Sequence, residues 1–193
     1  MSIPTSFDGL ELHTERMVLR GFAEQDAQAV LPIYADPEVM RYGSRLPWTS
    51  ISQAHEFIAQ HRAWMAEGSS LRLAMFSKED GVLLGDCSLF NWQRQCRRAE
   101  IGYGLARAAW HRGFMGEALQ ALLAYGFGTM DLNRVEADID PRNKASAKTL
   151  ERLGFRQEGL LPQRWIVGEE VSDSALYGLL RSDWEMRSNQ AVG

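Results

Sequence analysis

A mixed α/β sheet is the fold class that this 193-residue chain predicts, and three observations predict it. Short apolar-rich extended blocks separated by turn residues run from Leu71 to Leu105. After Gly113 the apolar spacing changes to three and four. Extended and helical blocks then alternate as far as Leu180. The resulting order is a strand with helices, an antiparallel meander, a β-α-β-α-β stretch and a closing strand, which packs as helices against one sheet. With 45% hydrophobic and 24% charged residues, the composition is that of an ordinary globular protein. There is no repeat, no linker-like stretch and no long run of one charge sign, so a single domain over 1–193 is expected, with residues 1–9 a loose N-terminus.

Glu11 to Phe22 suits a strand, and Ala23 to Ala35 has helical spacing through Ala27, Val30, Leu31 and Tyr34. Asp36-Pro37 marks a turn. Ser50 with Gln53 has the form of a capping box for a helix that carries Ala54, Phe57, Ile58, Trp64 and Met65 and stops at Gly68. Leu71 to Phe76 and Val82 to Phe90 read as a hairpin joined by Lys78-Glu79-Asp80-Gly81. Ala99 to Leu105 continues the meander after a basic turn at Gln93 to Arg98. Gly113 to Phe127 reads as a helix, Val135 to Ile139 as a strand, and Asn143 to Leu153 as a helix ended by Gly154. An extended segment opens at Phe155 and Arg156, and Ser174 to Leu180 supplies the last strand.

Several function classes are disfavoured. A formal charge of -4 lacks the cationic excess of a nucleic-acid binder. The longest apolar stretch, Ala121 to Phe127, is far short of the ~20 residues of a membrane span. The first 20 residues contain Asp8, Glu11 and Glu15 and no apolar signal core, so a cytoplasmic protein with reduced Cys87 and Cys96 is expected. His13, His55, His61 and His111 form no ligand pattern, so no metal site is expected.

Two segments point to chemistry. Trp110-His111-Arg112-Gly113-Phe114-Met115-Gly116-Glu117-Ala118 lies between a strand and an apolar helix, where free N–H groups and the positive end of the helix dipole suit a phosphate. Glycines placed for tight packing at a helix entry are the alternative. No Walker motif occurs, and Gly102-x-Gly104 lacks the third glycine of a dinucleotide fingerprint. The second segment, Asp140 to Lys148, offers Asn143 as a helix cap, Ser146 in the first turns, and three cations in an acidic protein: Arg142, Lys144 and Lys148. Capping alone is the simpler explanation.

These residues carry a resemblance. Trp110, Gly113, Glu117 and Ala118 match the W-x-x-G-x-x-x-E-A form of the acetyl-CoA signature, and Asn143, Ser146, Leu150, Gly154 and Phe155 match a later N-x-x-S-x-x-x-L-x-x-x-G-F pattern. With Thr14 to Arg20 and Ala99 to Leu105, they make the chain resemble a GNAT-superfamily N-acetyltransferase of the RimJ/RimL-like branch over nearly its whole length. The resemblance implies the GNAT acyl-CoA N-acyltransferase fold, a mostly antiparallel central sheet flanked by helices whose fourth and fifth strands splay apart. It implies acetyl-CoA as co-substrate and direct sequential transfer to a primary amine, a protein N-terminus or a small molecule; a non-catalytic acyl-CoA sensor is the alternative. Homodimers are common in the family. Leu105 would pair with pantetheine; Trp110, His111, Arg112, Gly113, Phe114, Met115 and Gly116 would form the pyrophosphate loop; and Asn143 and Ser146 would approach the cofactor. Met115 departs from the small residue usual at its position. Leu150 stands where many members carry a general-acid tyrosine.

An amine protonated at neutral pH needs a base before it attacks a thioester. Glu100, on the strand expected to line the cleft, is the first choice; an exposed carboxylate paired with Arg97 or Arg98 is its alternative role. Glu117 is a weaker candidate base, and Tyr177 a hydrogen-bond donor or a packing residue. Ser146, or a water, would protonate the leaving thiolate. Trp48, Trp64, Trp92, Phe57 and Phe90 read as core more readily than as an acceptor pocket. Cys87 has no paired base and is not taken as a nucleophile.

Overall fold

A computed structural model describes residues 3–190, with side chains described as far as Arg187. The expected first strand, Glu11 to Phe22, is instead a tight hairpin of β1 (Glu11–His13) and β2 (Met17–Arg20). Thr14 closes it, its N–H donating to Met17 O at 3.0 Å while its hydroxyl accepts from Met17 N at 3.0 Å. A 3-10 turn at Glu24–Asp26 leads into α1 (Ala27–Ala35). The turn expected at Asp36-Pro37 is the start of a short helix, α2 (Pro37–Met40), capped by Asp36 through the Glu38 N–H at 2.9 Å. The capping box of α3 (Ile51–Ala66) forms as expected, with Gln53 accepting from Ser50 N at 3.1 Å.

The meander is β3 (Leu71–Ser77), β4 (Leu83–Gln93) and β5 (Arg98–Leu105). There follow α4 (Phe114–Gly128), β6 (Arg134–Ile139), α5 (Lys144–Leu153), β7 (Arg156–Val167), β8 (Glu170–Leu180) and α6 (Arg181–Gln190). The extended segment after Phe155 and the last strand are thus two arms of one long hairpin, and α6 was not anticipated. Its polar sequence gives no helical stripe, but Trp184 stacks on Phe127 of α4 at 5.8 Å. Among the described residues the sheet runs β1-β2-β3-β4-β5-β6-β8-β7, and only β5 and β6 are parallel.

Alternation along the strands divides two cores. Leu73, Cys87 and Ile101 pack with Leu119, Leu122 and Leu123 of α4 on one face, while Ala74 and Leu83 pack with Val30, Phe57 and Ile58 of α1 and α3 on the other. At Gly85 a Cβ would lie 2.2 Å from the carbonyl oxygen of Gly104, so only glycine lets β4 and β5 approach this closely.

The parallel pair determines where a site can open. β5 and β6 are in register at Arg98↔Arg134, Ala99↔Val135 and Glu100↔Glu136, and there pairing ends. Beyond that point β5 follows β4 to Leu105, and β6 follows β8 to Ile139. The splayed strands expected as the fourth and fifth are therefore β5 and β6, because the N-terminal hairpin occupies the place of one strand. Ile101 to Leu105 keep an edge of N–H and C=O groups unpaired with β6.

Candidate active site

A cleft of about 740 Å³ occupies the V between β5 and β6. Glu100, Tyr103, Asp138, Asn143 and Ser146 line it, together with the 41–47 segment that joins α2 to α3 and residues near the tip of the β7–β8 hairpin. Those two segments meet across it: a Cβ at Gly168 would lie 3.3 Å from Leu46. Arg142 joins the same roof, pairing with Asp140 and, at 2.7 Å, with Glu170, and lying over the Tyr42 ring. Its two carboxylate partners raise its pKa. Arg142 is therefore a strut of the roof and not one of the free cations expected around an anion. Lys144 and Lys148 remain exposed.

At the foot of the V two carboxylates face each other in register, Glu100 and Glu136. Glu136 is held by Arg98 and by Arg134, the latter at 2.8 Å. Burial raises its pKa, but the hydrogen bonds from Arg134 and Arg98 outweigh that and lower it. Glu100 pairs with neither Arg97 nor Arg98; it accepts one hydrogen bond, 3.0 Å from the Asn91 amide. Arg97 is engaged with Asp131 instead. Of the pair, Glu100 is thus the carboxylate without a cation.

Ser146 is 8% exposed and its hydroxyl lies 2.7 Å from that of Tyr103. Burial pushes the Tyr103 pKa up to about 12, so it remains a proton donor at neutral pH. Asn143 caps α5, its Oδ1 accepting from Ser146 N at 3.1 Å. Leu150 is fully buried in the core, one turn below Ser146. The position that could have held an acid is apolar packing, and the cleft's hydroxyls come from Ser146 and Tyr103. Tyr103 escaped the sequence analysis because a strand tyrosine is ordinary; the Gly102-x-Gly104 flanks were its only signal.

The segment from Leu105 to Gly116 does not line this cleft. It forms the turn where β5 ends and α4 begins. The Trp110 indole donates to the Leu105 carbonyl at 2.8 Å, so Trp110 buttresses the strand end. His111 and Gly113 both have positive φ, 60° and 79°, an alternation that curves N–H groups into a concavity. No side chain caps α4, which leaves its first amides, at Phe114, Met115 and Gly116, without a partner inside the helix. Phe114 and Met115 are buried, and a Cβ at Gly116 would meet open space. Met115 thus points its bulk inward, away from the loop's outer face. Arg112 lies over the Phe114 ring at 4.9 Å.

The remaining candidates separate clearly. Glu117 accepts from Arg16 N at 2.8 Å and from Arg16 Nε at 2.6 Å; burial raises its pKa, but hydrogen bonds from Thr14 and Arg16 lower it overall. Its contacts tie the N-terminal hairpin to the start of α4. Tyr177 is buried in the core, and burial first, then the nearby Glu151 carboxylate, raise its pKa. Cys87 is fully buried and its pKa is raised by that burial, so it stays a thiol. Phe57 and Phe90 line the cleft, Trp48 packs behind it against Tyr34 at 4.5 Å, and Trp64 and Trp92 lie elsewhere. A buried group went unread in the sequence: Asp86 binds Arg72 and, at 2.5 Å, the Tyr34 hydroxyl, beside the cleft wall. Among the described residues no cluster of three metal-ligating side chains occurs, and no helix is long and apolar enough to cross a membrane.

Residues 16–156 match the acetyltransferase (GNAT) domain. The uncharacterized N-acetyltransferase p20 of Bacillus licheniformis is 36% identical over 173 residues, 90% of this chain and 97% of that protein. The ribosomal protein uS5-alanine N-acetyltransferase of Escherichia coli K12 is 27% identical, over 91% of this chain and 93% of its own. The crystal structure of a GNAT-family acetyltransferase from Bacillus anthracis superposes with a TM-score of 0.80 at 25% identity, covering 90% of this chain and 99% of that one. Splayed sheet, helix entry and kinship agree: this chain belongs to the GNAT family of N-acetyltransferases, with relatives of the RimJ/RimL type.

Proposed function

We propose that this protein transfers the acetyl group of acetyl-CoA directly to a primary amine, on a peptide N-terminus or a small molecule. The observation that carries the proposal is the end of β5–β6 pairing at Glu100↔Glu136, which opens a strand edge to a ligand beside an uncapped helix start. The uncapped amides at the start of α4, together with those of the Arg112–Gly113 turn before it, would supply the donors that a pyrophosphate needs. The free edge of β5 near Leu105 supplies main-chain partners for an extended arm, and one N–H of that edge can polarise a thioester carbonyl.

Glu100 takes the proton that the attacking ammonium must lose, directly or through one water, and Asn91 orients it. Its neighbour Glu136 is unsuited to that role because two arginines hold it ionised. Collapse of the tetrahedral adduct breaks the carbon–sulfur bond, and the Ser146–Tyr103 hydroxyl pair donates a hydrogen bond to the departing sulfur. A thiol with a pKa of about 8.5 leaves with little assistance, so Ser146 contributes less than Glu100.

The test is calorimetric titration with acetyl-CoA followed by thiol release against mixed amines and N-terminal peptides. Glu100→Gln is expected to lower kcat by roughly 100-fold or more while leaving CoA affinity near that of the parent. Ser146→Ala is expected to cost less. An unchanged rate in Glu100→Gln would remove Glu100 as the base, and CoA binding without turnover of any amine would favour a sensor.

A further inference from the structure

We propose that the acceptor end of this cleft selects a primary amine that also carries a carboxylate, with Arg41 and Arg45 receiving the carboxylate while Glu100 faces the ammonium. The inference rests on the acetyl-transfer reading and narrows its acceptor.

Sorting the charged groups of the cleft by their partners leaves these three and, on the hairpin side, Asp173. Arg142 is spent on Asp140 and Glu170, Arg164 on Asp138, and Arg72 on Asp86. Arg41 and Arg45 have no carboxylate partner among the described residues, and each lies over an aromatic ring, Tyr42 at 5.4 Å and Phe57 at 5.9 Å. Of the acids, Asp173 accepts the Gln163 N–H on the hairpin side, and Glu100 accepts only the Asn91 amide. What remains without an opposite charge is a pair of guanidinium groups on the 41–47 segment, Glu100 at the foot of the V and Asp173 on the hairpin arm, of which Glu100 lies on the strand edge that opens the V. A buried neighbour registers the cationic field: burial lowers the His61 pKa, and Arg72 and Arg45 add to that, bringing it to about 3.

This layout complements a dipolar acceptor and opposes a polycation. A second ammonium directed toward Arg41 and Arg45, which line the cleft mouth, would meet like charge. A carboxylate there gains charge-assisted hydrogen bonds. The same chemistry can come from a free amino acid or from a peptide with an acidic residue after its N-terminus.

Three probes separate these outcomes: L-alanine against L-alaninamide, a Ser-Asp against a Ser-Lys N-terminal peptide, and spermidine. The amide of the first pair has the more easily deprotonated amine, so a preference for the acid cannot come from intrinsic reactivity. In at least one pair kcat/KM is expected to favour the acid-bearing member by roughly tenfold, and the pair that shows it identifies the source. In Arg41→Gln/Arg45→Gln that ratio should fall toward one, through KM. Absence of that preference in both pairs overturns the inference, as does turnover of spermidine that matches or exceeds the better acid-bearing probe, or a ratio that the double variant leaves intact. If no probe is acetylated, the transferase reading fails separately, and the same pairs are titrated into the CoA complex. Tighter binding of the acid-bearing member then supports charge selection at this site, and equal binding overturns it.

Discussion

His61 lies in the aromatic layer behind the cleft, its ring 4.4 Å from Phe57 and 4.9 Å from Trp64, with a buried Nδ1 that has no hydrogen-bond partner. Burial first, then Arg72 and Arg45, lower its pKa to about 3, whereas an unfolded histidine titrates near about 6.5. Below that value the unfolded chain binds a proton that the native state refuses. Stability is therefore undiminished above about pH 6.5 and falls as pH drops toward 3. His61→Phe should melt with a shallower pH dependence than the parent between pH 7 and 4; parallel curves would place the acid lability elsewhere. At this scale the sequence was only partly readable. Glu100, Asn143 and Ser146 were legible through the family resemblance, with Asn143 also readable as a helix cap, and all line the cleft. Tyr103, Asp86, Arg72 and Tyr34 were not, because their meaning comes from strand register, which places Ala74 opposite Asp86 and Asp86 opposite Gly104.

Among the elements, the contact between the N-terminal hairpin and the start of α4 has the most direct consequence for the proposed cofactor loop. Arg16, in the turn between β1 and β2, donates from Nη1 to the Arg112 carbonyl at 2.9 Å, lies over the Phe114 ring at 4.5 Å and pairs with Glu117 at 2.6 Å. One side chain thus holds both ends of the segment that carries the uncapped amides of α4. A half-exposed ion pair alone contributes little to stability, so Arg16→Ala should lower Tm only modestly. Its larger effect should be on CoA affinity, because a loop no longer held in its binding shape must be ordered by the ligand. Roughly a threefold to tenfold rise in Kd is expected by calorimetry, and an unchanged Kd with a lowered Tm would make the contact purely structural. The helices and the meander were legible because their apolar periods and caps are local signals. The β1–β2 hairpin was not, because its turn is closed by a threonine hydroxyl without glycine or proline, and α6 was not, because its sequence is polar and carries no apolar stripe.

Taken as a whole, the molecule holds its cleft between two cores that share one sheet. The α4 core covers β3, β4 and β5 from one face, and the α1–α3 core covers β3 and β4 from the other, so β3 and β4 are backed on both faces and β5 on one. The β6 side continues into β8 and the exposed β7, an edge assembly whose tip reaches the 41–47 segment through Leu46, Glu170 and Arg142. That topology was legible in outline, but the extent of the splay was not, since nothing local in Ile101 to Leu105 says which neighbour the strand abandons. Unequal backing predicts unequal protection. In hydrogen exchange without ligand, amides on the free edge of Ile101 to Leu105 and in the first turn of α4 should exchange faster than those of β3 and the centre of β4. Adding CoA should slow exchange in those two segments and leave β3 unchanged, because a ligand in the V completes the missing edge without altering either core. Protection spread evenly over the sheet would mean that the ligand stabilises the fold globally. Protection confined to β7 and β8 would move the cofactor to the opposite arm of the V.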